Sequence, residues 1–232
     1  MIALIPPAGH GARFGGEQPK HYAAHRGPTV IDHTLDRITR CPGVERTRVA
    51  LAADDPGTVV RGWAQVETVI GGADRARSVL ALLDAVADLP PVSWVLVHDA
   101  ARPCVTVADV LRLRDAVLQS DADGGILATR VRDTVKRVDT AGHVVQTVPR
   151  DDLWGAATPQ LFRLGPLRDA VHGALVDGVA VTDEASAMEW AGHRVRVVAG
   201  RDDNIKVTRP GDLSLAASIL EQQADEPAGG AP

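Results

Sequence analysis

The chain has 232 residues, of which 45% are hydrophobic and 24% are charged, a composition typical of ordinary globular proteins. Its formal net charge is −5 and only 3% of its residues are aromatic, so it lacks the basic excess and stacking side chains of nucleic-acid-binding proteins. Cys41 and Cys104 have no metal-binding or redox spacing, and no apolar run approaches the ~20 residues that span a bilayer, which predicts a cytoplasmic protein without membrane contact.

Short apolar runs predict strands at residues 2–5, 48–53, 66–70, 93–98, 124–131 and 194–199. Between them lie segments with helical periodicity. Strands that alternate with helices predict an α/β fold, with a mostly parallel twisted sheet and helices on both of its faces.

The helical segments have recognisable starts and faces. One helix is predicted by apolar residues at spacings of three and four: Val79, Leu82, Leu83 and Val86. Thr106 begins a capping box with Asp109, which predicts the start of another helix. Pro210 suits the first turn of a last helix that extends through Leu220.

The segment 134–150 interrupts the alternation of strands and helices. It contains two β-rich runs around the turn-like residues 139–142, which predicts a hairpin. Because an isolated two-stranded hairpin is marginal in water, we expect this arm, residues 131–151, to dock on a second subunit. Residues 221–232 have no apolar face and predict a disordered tail, so the folded domain is expected to cover residues 1–220.

A glycine-rich loop at residues 7–16 follows the first predicted strand. It is not a Walker A motif, because Glu17 stands where lysine is required, and Phe14 occupies the third glycine position of a dinucleotide fingerprint. A ligand-free turn is one interpretation. However, the cations Arg13 and Lys20 lie near the carboxyl end of a strand, where ligands bind in open α/β sheets, and they favour a phosphate site.

The segment HDAARP, residues 98–103, follows the most strand-like run of the chain. Asp99 should therefore lie at the same sheet edge as the glycine loop, where a carboxylate beside a triphosphate is a natural Mg²⁺ ligand. A turn-capping role for Asp99 is the alternative. For His98 we favour a partly buried, hydrogen-bonded residue over a general base.

Three further segments are candidates with structural alternatives. The segment 71–78, GGADRARS, is either a nucleotide-contacting loop or a tight connection with a helix N-cap. Lys206 follows a predicted strand and either meets a phosphate or is an ordinary surface lysine. The acidic segment 182–186 has the pattern of a helix start, which needs no function.

Seven segments together resemble the methylerythritol phosphate cytidylyltransferases of the non-mevalonate isoprenoid pathway. They occur in the order of that family and cover the chain from Ala3 to about Leu220. The segments are PPAGHGARFG with PKHY, GGADRARSV, LVHDAARP, VRDTVKR, ATPQLF, TDEASAMEWAG and DNIKVTRPGDL. The combination is far more specific than any one of them.

The resemblance implies a single Rossmann-like domain whose protruding β-arm locks a homodimer. The implied reaction joins CTP to 2-C-methyl-D-erythritol 4-phosphate and releases pyrophosphate, with Mg²⁺ as the cofactor. The implied partners are thus CTP, a small polyol phosphate and a second copy of the chain.

The resemblance also implies roles for individual residues. The catalytic cations are Arg13, Lys20 and Lys206. The nucleotide is bound by Ala8, Gly9, Gly11, Gly71, Gly72 and Ser78. The sugar phosphate is bound by Arg102, Thr134, Arg150 and Thr182, of which Thr134 and Arg150 reach the site of the partner subunit. Asp99 is the metal ligand.

Other functions remain open from the sequence. A ribitol 5-phosphate cytidylyltransferase would share the fold and the CTP half of the site. An NAD-dependent oxidoreductase on a Rossmann domain is disfavoured by Phe14. A non-catalytic nucleotide-binding module is disfavoured because Arg13, Lys20, Asp99 and Lys206 are all present.

Overall fold

A computed structural model of the chain describes residues 1–6, 22–24, 27–55 and 60–225. The strands are β1 (Ile2–Ile5), β2 (Arg46–Leu51), β3 (Val66–Ile70), β4 (Trp94–Val97), β5 (Gly124–Arg130), β6 (Val135–Val138), β7 (Val144–Val148), β8 (Trp154–Arg163) and β9 (Val195–Ala199). The helices are α1 (Val30–Thr39), α2 (Arg75–Asp84), α3 (Val107–Leu118), α4 (Leu164–Val176), α5 (Glu184–Trp190) and α6 (Pro210–Asp225), and Val60–Gly62 form a 3-10 helix.

Seven of these strands form one sheet in the order β3-β2-β1-β4-β8-β5-β9. The pairs among β1, β2, β3 and β4 are parallel, and so is the pair of β5 with β9. Only β8 runs antiparallel to its neighbours, β4 and β5. The predicted α/β fold with a mostly parallel sheet is therefore confirmed.

Strand β8 is one of the elements that the sequence did not predict; helices α1 and α4 are others. Its first half is WGAAT, in which only Trp154 is a large apolar residue, and Pro159 lies in its middle, where proline argues against a strand because it cannot donate a ladder hydrogen bond. The register of β5 against β8 shifts between Ile126 and Ala128, close to this proline. Pairing on both sides, with β4 and β5, overrides the weak local signal.

Both faces of the sheet are covered, as the sequence predicted. Along β1, Ile2 and Leu4 pack into the core beneath α2, α4 and α5, whereas Ala3 and Ile5 pack on the opposite face beneath α1 and α3. This alternation follows from the period of two in a strand. Within the described residues, no helix is both long and apolar enough to cross a bilayer.

Helix starts agree with their sequence signals. The hydroxyl of Thr106 accepts from the backbone N–H of Asp109, and the Asp109 carboxylate caps the Thr106 N–H in return. Asp74 caps α2 by accepting from the N–H of Arg77. Asp183 caps α5 in the same way through Ser186.

The last helix extends beyond its predicted end. Helix α6 continues to Asp225, so residues 221–225 are helical and the predicted start of a disordered tail at residue 221 is wrong. The cause is a tertiary contact: Gln223 is buried, and its side-chain N–H donates to the backbone oxygen of Cys104 at 3.0 Å. Residues 226–232 lie outside the described residues.

Strands β6 and β7 form the predicted hairpin, a separate antiparallel two-stranded sheet. Gly142 adopts a φ of 86° in its turn, a conformation that favours glycine. The valines Val138, Val144 and Val145 are 54–64% exposed on this hairpin. Docking of the arm on a second subunit remains a prediction.

Candidate active site

The loop between β3 and α2 is held in a tight conformation by Ser78. The buried Ser78 Oγ accepts from the N–H of Gly72 at 3.1 Å and donates to the backbone oxygen of Asp74 at 2.8 Å. A Cβ at Gly72 would come within 2.9 Å of the Arg77 backbone carbon, so the loop requires glycine there. The backbone groups of Gly71 and Gly72 therefore lie next to the carboxyl end of β3.

The loop after β4 brings Asp99 among three positively charged side chains. Oδ1 of Asp99 lies 3.1 Å from Arg75 Nε, and Oδ2 lies 2.7 Å from Lys206 Nζ and 3.5 Å from Arg102 Nε. The Asp99 side chain is 9% exposed. The cluster therefore concentrates positive charge locally in a chain whose net charge is negative.

Burial and neighbouring charges act in opposite directions on these groups. Burial alone would raise the pKa of Asp99, but Arg75, Lys206 and Arg102 hold it well below its usual range. Burial also disfavours the charge of Arg75, yet the carboxylates of Glu184 and Asp99 raise its pKa above the usual value. Both groups are charged at neutral pH.

A buried hydrogen-bond network fixes the backbone of Asp99. The hydroxyl of Thr158 accepts from the N–H of Asp99 at 3.0 Å and lies 3.1 Å from Nδ1 of His98, whose Nε2 lies 3.0 Å from the backbone oxygen of Arg102. Because a carbonyl oxygen only accepts, Nε2 carries the proton and Thr158 donates to Nδ1. Burial lowers the pKa of His98 to about 4, so the ring is neutral and structural, as the sequence favoured.

The segment that carries Lys206 is held against the same network. The side-chain N–H of Asn204 donates to the backbone oxygen of Thr158 at 2.9 Å, and Arg102 donates to the backbone oxygen of Asn204 at 2.7 Å. The N–H of Val207 donates to the oxygen of Ala101 at 2.8 Å. These contacts place Lys206 beside the β4 loop.

Helix α5 supplies a buried carboxylate behind the cluster. Glu184 is 1% exposed, and its two oxygens lie 2.7 Å and 3.1 Å from the terminal nitrogens of Arg75. Gln160 on β8 fixes the start of α5, because it accepts from the N–H of Ala185 and donates to Asp183. Burial raises the pKa of Glu184, and Arg75 opposes this shift.

The structure brings together part of the predicted site. One cavity is lined by residues from the β4 loop, β8, the start of α5 and the Lys206 segment. They are Arg75, Asp99, Arg102, Ala156, Ala157, Thr158, Gln160, Thr182, Asp183 and Lys206. Four predicted residues, namely Asp99, Arg102, Thr182 and Lys206, are thus joined, while Gly71, Gly72 and Ser78 lie on the loop that leads into Arg75.

The predicted arm residues lie elsewhere in the chain. Thr134 is exposed immediately before β6. Arg150 lines a different cavity at the base of the hairpin, together with Arg130, Arg132 and Trp154. The prediction that Thr134 and Arg150 serve the site of a partner subunit remains a prediction.

The glycine-rich loop lies outside the described residues. This applies to the predicted nucleotide-binding residues Ala8, Gly9 and Gly11 and to the predicted catalytic cations Arg13 and Lys20. Their roles also remain predictions. Strand β1, which leads into this loop, pairs with β4, so the described residues place both strand ends at one sheet edge.

Several residues of the cluster carry no functional signal in the sequence. Arg75 is only part of a predicted loop there, and Glu184 is only an acid in the first turn of a predicted helix. Thr158 and Gln160 lie on the unpredicted strand β8. The one signal in the sequence that could have indicated a role is Glu184, an acid at the first position of α5 followed by the small residues Ala185, Ser186 and Ala187.

The described residues do not form a metal cage by themselves. No group of three or more His, Cys, Asp or Glu side chains that could hold a metal ion occurs in the described part of the chain. Both oxygens of Asp99 contact cations. A single carboxylate nevertheless suits Mg²⁺, which is commonly held by one or two carboxylates together with substrate phosphates. The donor set therefore fits Mg²⁺ only as a complex with a phosphorylated ligand.

Comparisons with known proteins extend over nearly the whole chain. Residues 1–222 match the sequence profile of IspD, 2-C-methyl-D-erythritol 4-phosphate cytidylyltransferase. Enzymes of that name from Aeromonas hydrophila and Photobacterium profundum are 49% and 43% identical, with 98% and 97% of this chain and 93% and 98% of theirs covered.

The fold agrees with solved structures of the same kind. The crystal structure of the Francisella tularensis 2-C-methyl-D-erythritol 4-phosphate cytidylyltransferase superposes with a TM-score of 0.84 at 36% identity, covering 94% of this chain and 99% of that one. The Thermus thermophilus protein gives a TM-score of 0.77 at 31% identity, with 94% and 98% covered. The chain therefore belongs to the IspD family of 2-C-methyl-D-erythritol 4-phosphate cytidylyltransferases.

Proposed function

We propose that this chain transfers the cytidylyl group of CTP to 2-C-methyl-D-erythritol 4-phosphate and releases pyrophosphate. The observation that carries the proposal is the cluster of Arg75, Arg102 and Lys206 around Asp99, which lines a cavity at the carboxyl edge of the sheet. Family membership at up to 49% identity among the relatives compared supports this reaction over ribitol phosphate transfer and over NAD chemistry.

The chemistry needs charge neutralisation more than proton transfer. A phosphate monoester has a second pKa of about 6, so the attacking substrate is already largely a dianion at neutral pH. Its approach to a triphosphate is opposed by repulsion between two polyanions. Cations fixed before the reaction lower this barrier without reorganisation during the step. A general base is unnecessary, which agrees with the neutral, buried His98.

Within the site, we assign the attacking phosphate to Lys206 and Arg102. Lys206 is 35% exposed, so its ammonium group can leave Asp99 Oδ2 for an incoming phosphate. Arg102 is 14% exposed and is anchored to the backbone oxygen of Asn204, so it acts from a fixed position. Thr182, exposed at the cavity, is assigned to the hydroxyl groups of the polyol.

We assign the nucleotide to the segment 71–78 and to the glycine-rich loop. The backbone groups of Gly71 and Gly72 are assigned to the base and ribose, and Ser78 holds their loop in shape through Gly72 and Asp74. Arg13 and Lys20 are assigned to the triphosphate, with Ala8, Gly9 and Gly11 lining its binding loop, on the basis of the family resemblance.

Mg²⁺ is assigned to Asp99 together with the phosphates of CTP. Bound there, the ion would neutralise the phosphate charge and orient the leaving pyrophosphate. The protein would contribute one carboxylate whose backbone is fixed by Thr158.

We further propose a homodimer formed through the arm, residues 131–151, in which Thr134 and Arg150 complete the site of the partner. The exposed valines of the hairpin support this, because a two-stranded sheet has little core of its own. The cytoplasm is the proposed location, supported by two buried cysteines with free thiols.

The reaction is tested by measuring pyrophosphate release with each of the four ribonucleoside triphosphates and with either methylerythritol 4-phosphate or ribitol 5-phosphate. We expect release with CTP and methylerythritol 4-phosphate, and much weaker release with every other pair. Equal or faster release with ribitol 5-phosphate would move the assignment to the alternative substrate. NAD binding without pyrophosphate release would overturn the assignment of this chain as a nucleotidyltransferase.

A further inference from the structure

Glu184 is a buried carboxylate that does not line the cavity, yet it connects to the cation cluster through one side chain. Its two oxygens take both terminal nitrogens of Arg75 in a bidentate pair, at 2.7 Å and 3.1 Å. The Nε atom and the terminal nitrogen Nη2 of the same guanidinium group both lie 3.1 Å from Oδ1 of Asp99. Arg75 therefore bridges one carboxylate behind the site and one carboxylate within it.

This pair is poorly explained by stability alone. Removing a carboxylate from water is costly, and a buried ion pair often contributes no more than well-packed apolar residues would. A bidentate pair does, however, fix the plane of the guanidinium group. With that plane fixed by Glu184, the edge of the guanidinium group formed by Nε and Nη2 faces Oδ1 of Asp99.

The carboxylate itself is held in a fixed place. Gln160 on β8 accepts from the N–H of Ala185 at 2.9 Å and donates to Asp183 at 2.8 Å. These two residues flank Glu184 in sequence. Gln160 thus ties the first turn of α5, and with it Glu184, to the central sheet.

The consequence lies in how Asp99 divides its two oxygens. Oδ1 is taken by Arg75, which leaves Oδ2 toward Lys206 at 2.7 Å and Arg102 at 3.5 Å. Without the Glu184 charge, Arg75 would be free to rotate toward Oδ2 or toward a bound phosphate, in competition with Lys206. The excess positive charge of the cluster would also rise.

We propose that Glu184 is a positioning residue: it holds Arg75 on Oδ1 of Asp99, so that Oδ2 is left to Lys206 and to the Mg²⁺ that would bind with the substrate phosphates. The proposal rests on the transfer reaction proposed above. It adds a residue outside the cavity that acts on the reaction only through Arg75 and Asp99.

The experiment compares Glu184→Gln with Glu189→Gln, an exposed glutamate on the same helix. We expect Glu184→Gln to lower kcat at least tenfold and to raise the Mg²⁺ concentration needed for half-maximal rate, whereas Glu189→Gln stays within about twofold of the parent. In an Asp99→Asn background, Glu184→Gln should add less than a further twofold, because residues that act as one unit are not additive. If Glu184→Gln lowered kcat by the same factor in the Asp99→Asn background as in the parent, the proposal would be overturned.

A second measurement does not depend on turnover. The Nε–H resonance of Arg75, assigned by its loss in Arg75→Lys, should be protected from solvent exchange in the parent and in Glu189→Gln, and should lose protection in Glu184→Gln. If the Arg75 Nε–H stayed protected from solvent exchange in Glu184→Gln, the proposal that Glu184 holds Arg75 in place would be overturned. Lost protection with unchanged kcat and unchanged Mg²⁺ dependence would make Glu184 purely structural and would equally overturn the proposal.

If Glu184→Gln does not fold, Arg75→Lys tests the same link, since lysine keeps the charge but cannot bridge both carboxylates in this geometry. The same fall in kcat is expected, and parent kinetics would overturn the proposal. An inactive parent with a protected Arg75 Nε–H would instead count against the proposed reaction and leave the positioning of Arg75 by Glu184 standing, so the two failures are distinguishable.

Discussion

The ammonium group of Lys206 lies 2.7 Å from Oδ2 of Asp99, although the two residues follow different strands of the sheet. Asp99 comes from the loop after β4, and Lys206 follows β9, at the far end of the strand order. The pair joins a partly exposed ammonium group to a carboxylate whose backbone N–H is held by Thr158. The Lys206 ammonium group can therefore exchange its contact with Asp99 for one with an incoming phosphate, without any movement of the main chain.

Replacing Lys206 by methionine should lower kcat about 10²- to 10³-fold, which is the typical effect of removing one preorganised charge from a transition state. The fold should be retained, because Asp99 keeps its contacts with Arg75 and Arg102. Steady-state kinetics and thermal melting check both expectations. Arg40→Met, at the exposed end of α1, is the matched control. Parent kinetics in Lys206→Met would remove this lysine from the site.

Asp99→Asn should cripple turnover and also lower the melting temperature. Asp99 is buried among three cations, so neutralising it leaves Lys206 and Arg102 without this carboxylate and Arg75 with Glu184 alone, at a cost of about 1–3 kcal/mol. Added phosphate or pyrophosphate should stabilise this variant more than the parent, because an anion replaces the lost charge. Normal melting together with parent rates across a Mg²⁺ titration would show that Asp99 binds no metal.

Stability should fall between pH 6.5 and pH 4 because of His98. Its pKa is about 4 in the folded chain, below the ordinary value of 6.5, so the unfolded chain takes up the proton first as the pH falls. The contribution, about 3 kcal/mol, is fully present above pH 6.5 and is lost by pH 4. Urea unfolding should show a shallower pH dependence in His98→Gln than in the parent.

His172→Gln, an exposed histidine of α4, is the control for that series. Burial also lowers the pKa of His33, so some dependence of stability on pH will remain in His98→Gln. The carboxyl group of Asp99, whose pKa is held well below its usual range in the folded chain, adds to the loss of stability only at the lower end of this window, where the unfolded chain begins to take up its proton. An unchanged slope in His98→Gln would contradict the assignment of a neutral, buried ring.

Mixing two inactive variants tests the shared site. Lys206→Ala and Arg150→Ala should each give a nearly inactive homodimer if Arg150 serves the partner. Random pairing makes half of the dimers mixed, and each mixed dimer has one intact site of two, so roughly a quarter of parent activity should return. Co-refolding with verified exchange, followed by the pyrophosphate assay, measures this recovery. Verified heterodimers without recovery would place Arg150 in its own subunit or in a structural role.

Features that depend on neighbouring residues were predictable from the sequence. The capping box of Thr106 and Asp109, the apolar face of α2 and the hairpin turn around Gly142 are all local signals, and each was found where the pattern indicated. The HDAARP segment follows a buried strand, so the position of Asp99 at the carboxyl edge of the sheet could also be anticipated. The family resemblance rested on the order of such segments.

Only the tertiary structure decided which partners these residues meet. Strand β8 exists because β4 and β5 pair with it on both sides, and the end of α6 stays helical because Gln223 reaches Cys104. The bridge from Glu184 through Arg75 to Asp99 joins residues from two helix starts and a loop. Local patterns carry no information about such contacts, because burial and charge pairing between distant segments depend on how the sheet orders its strands.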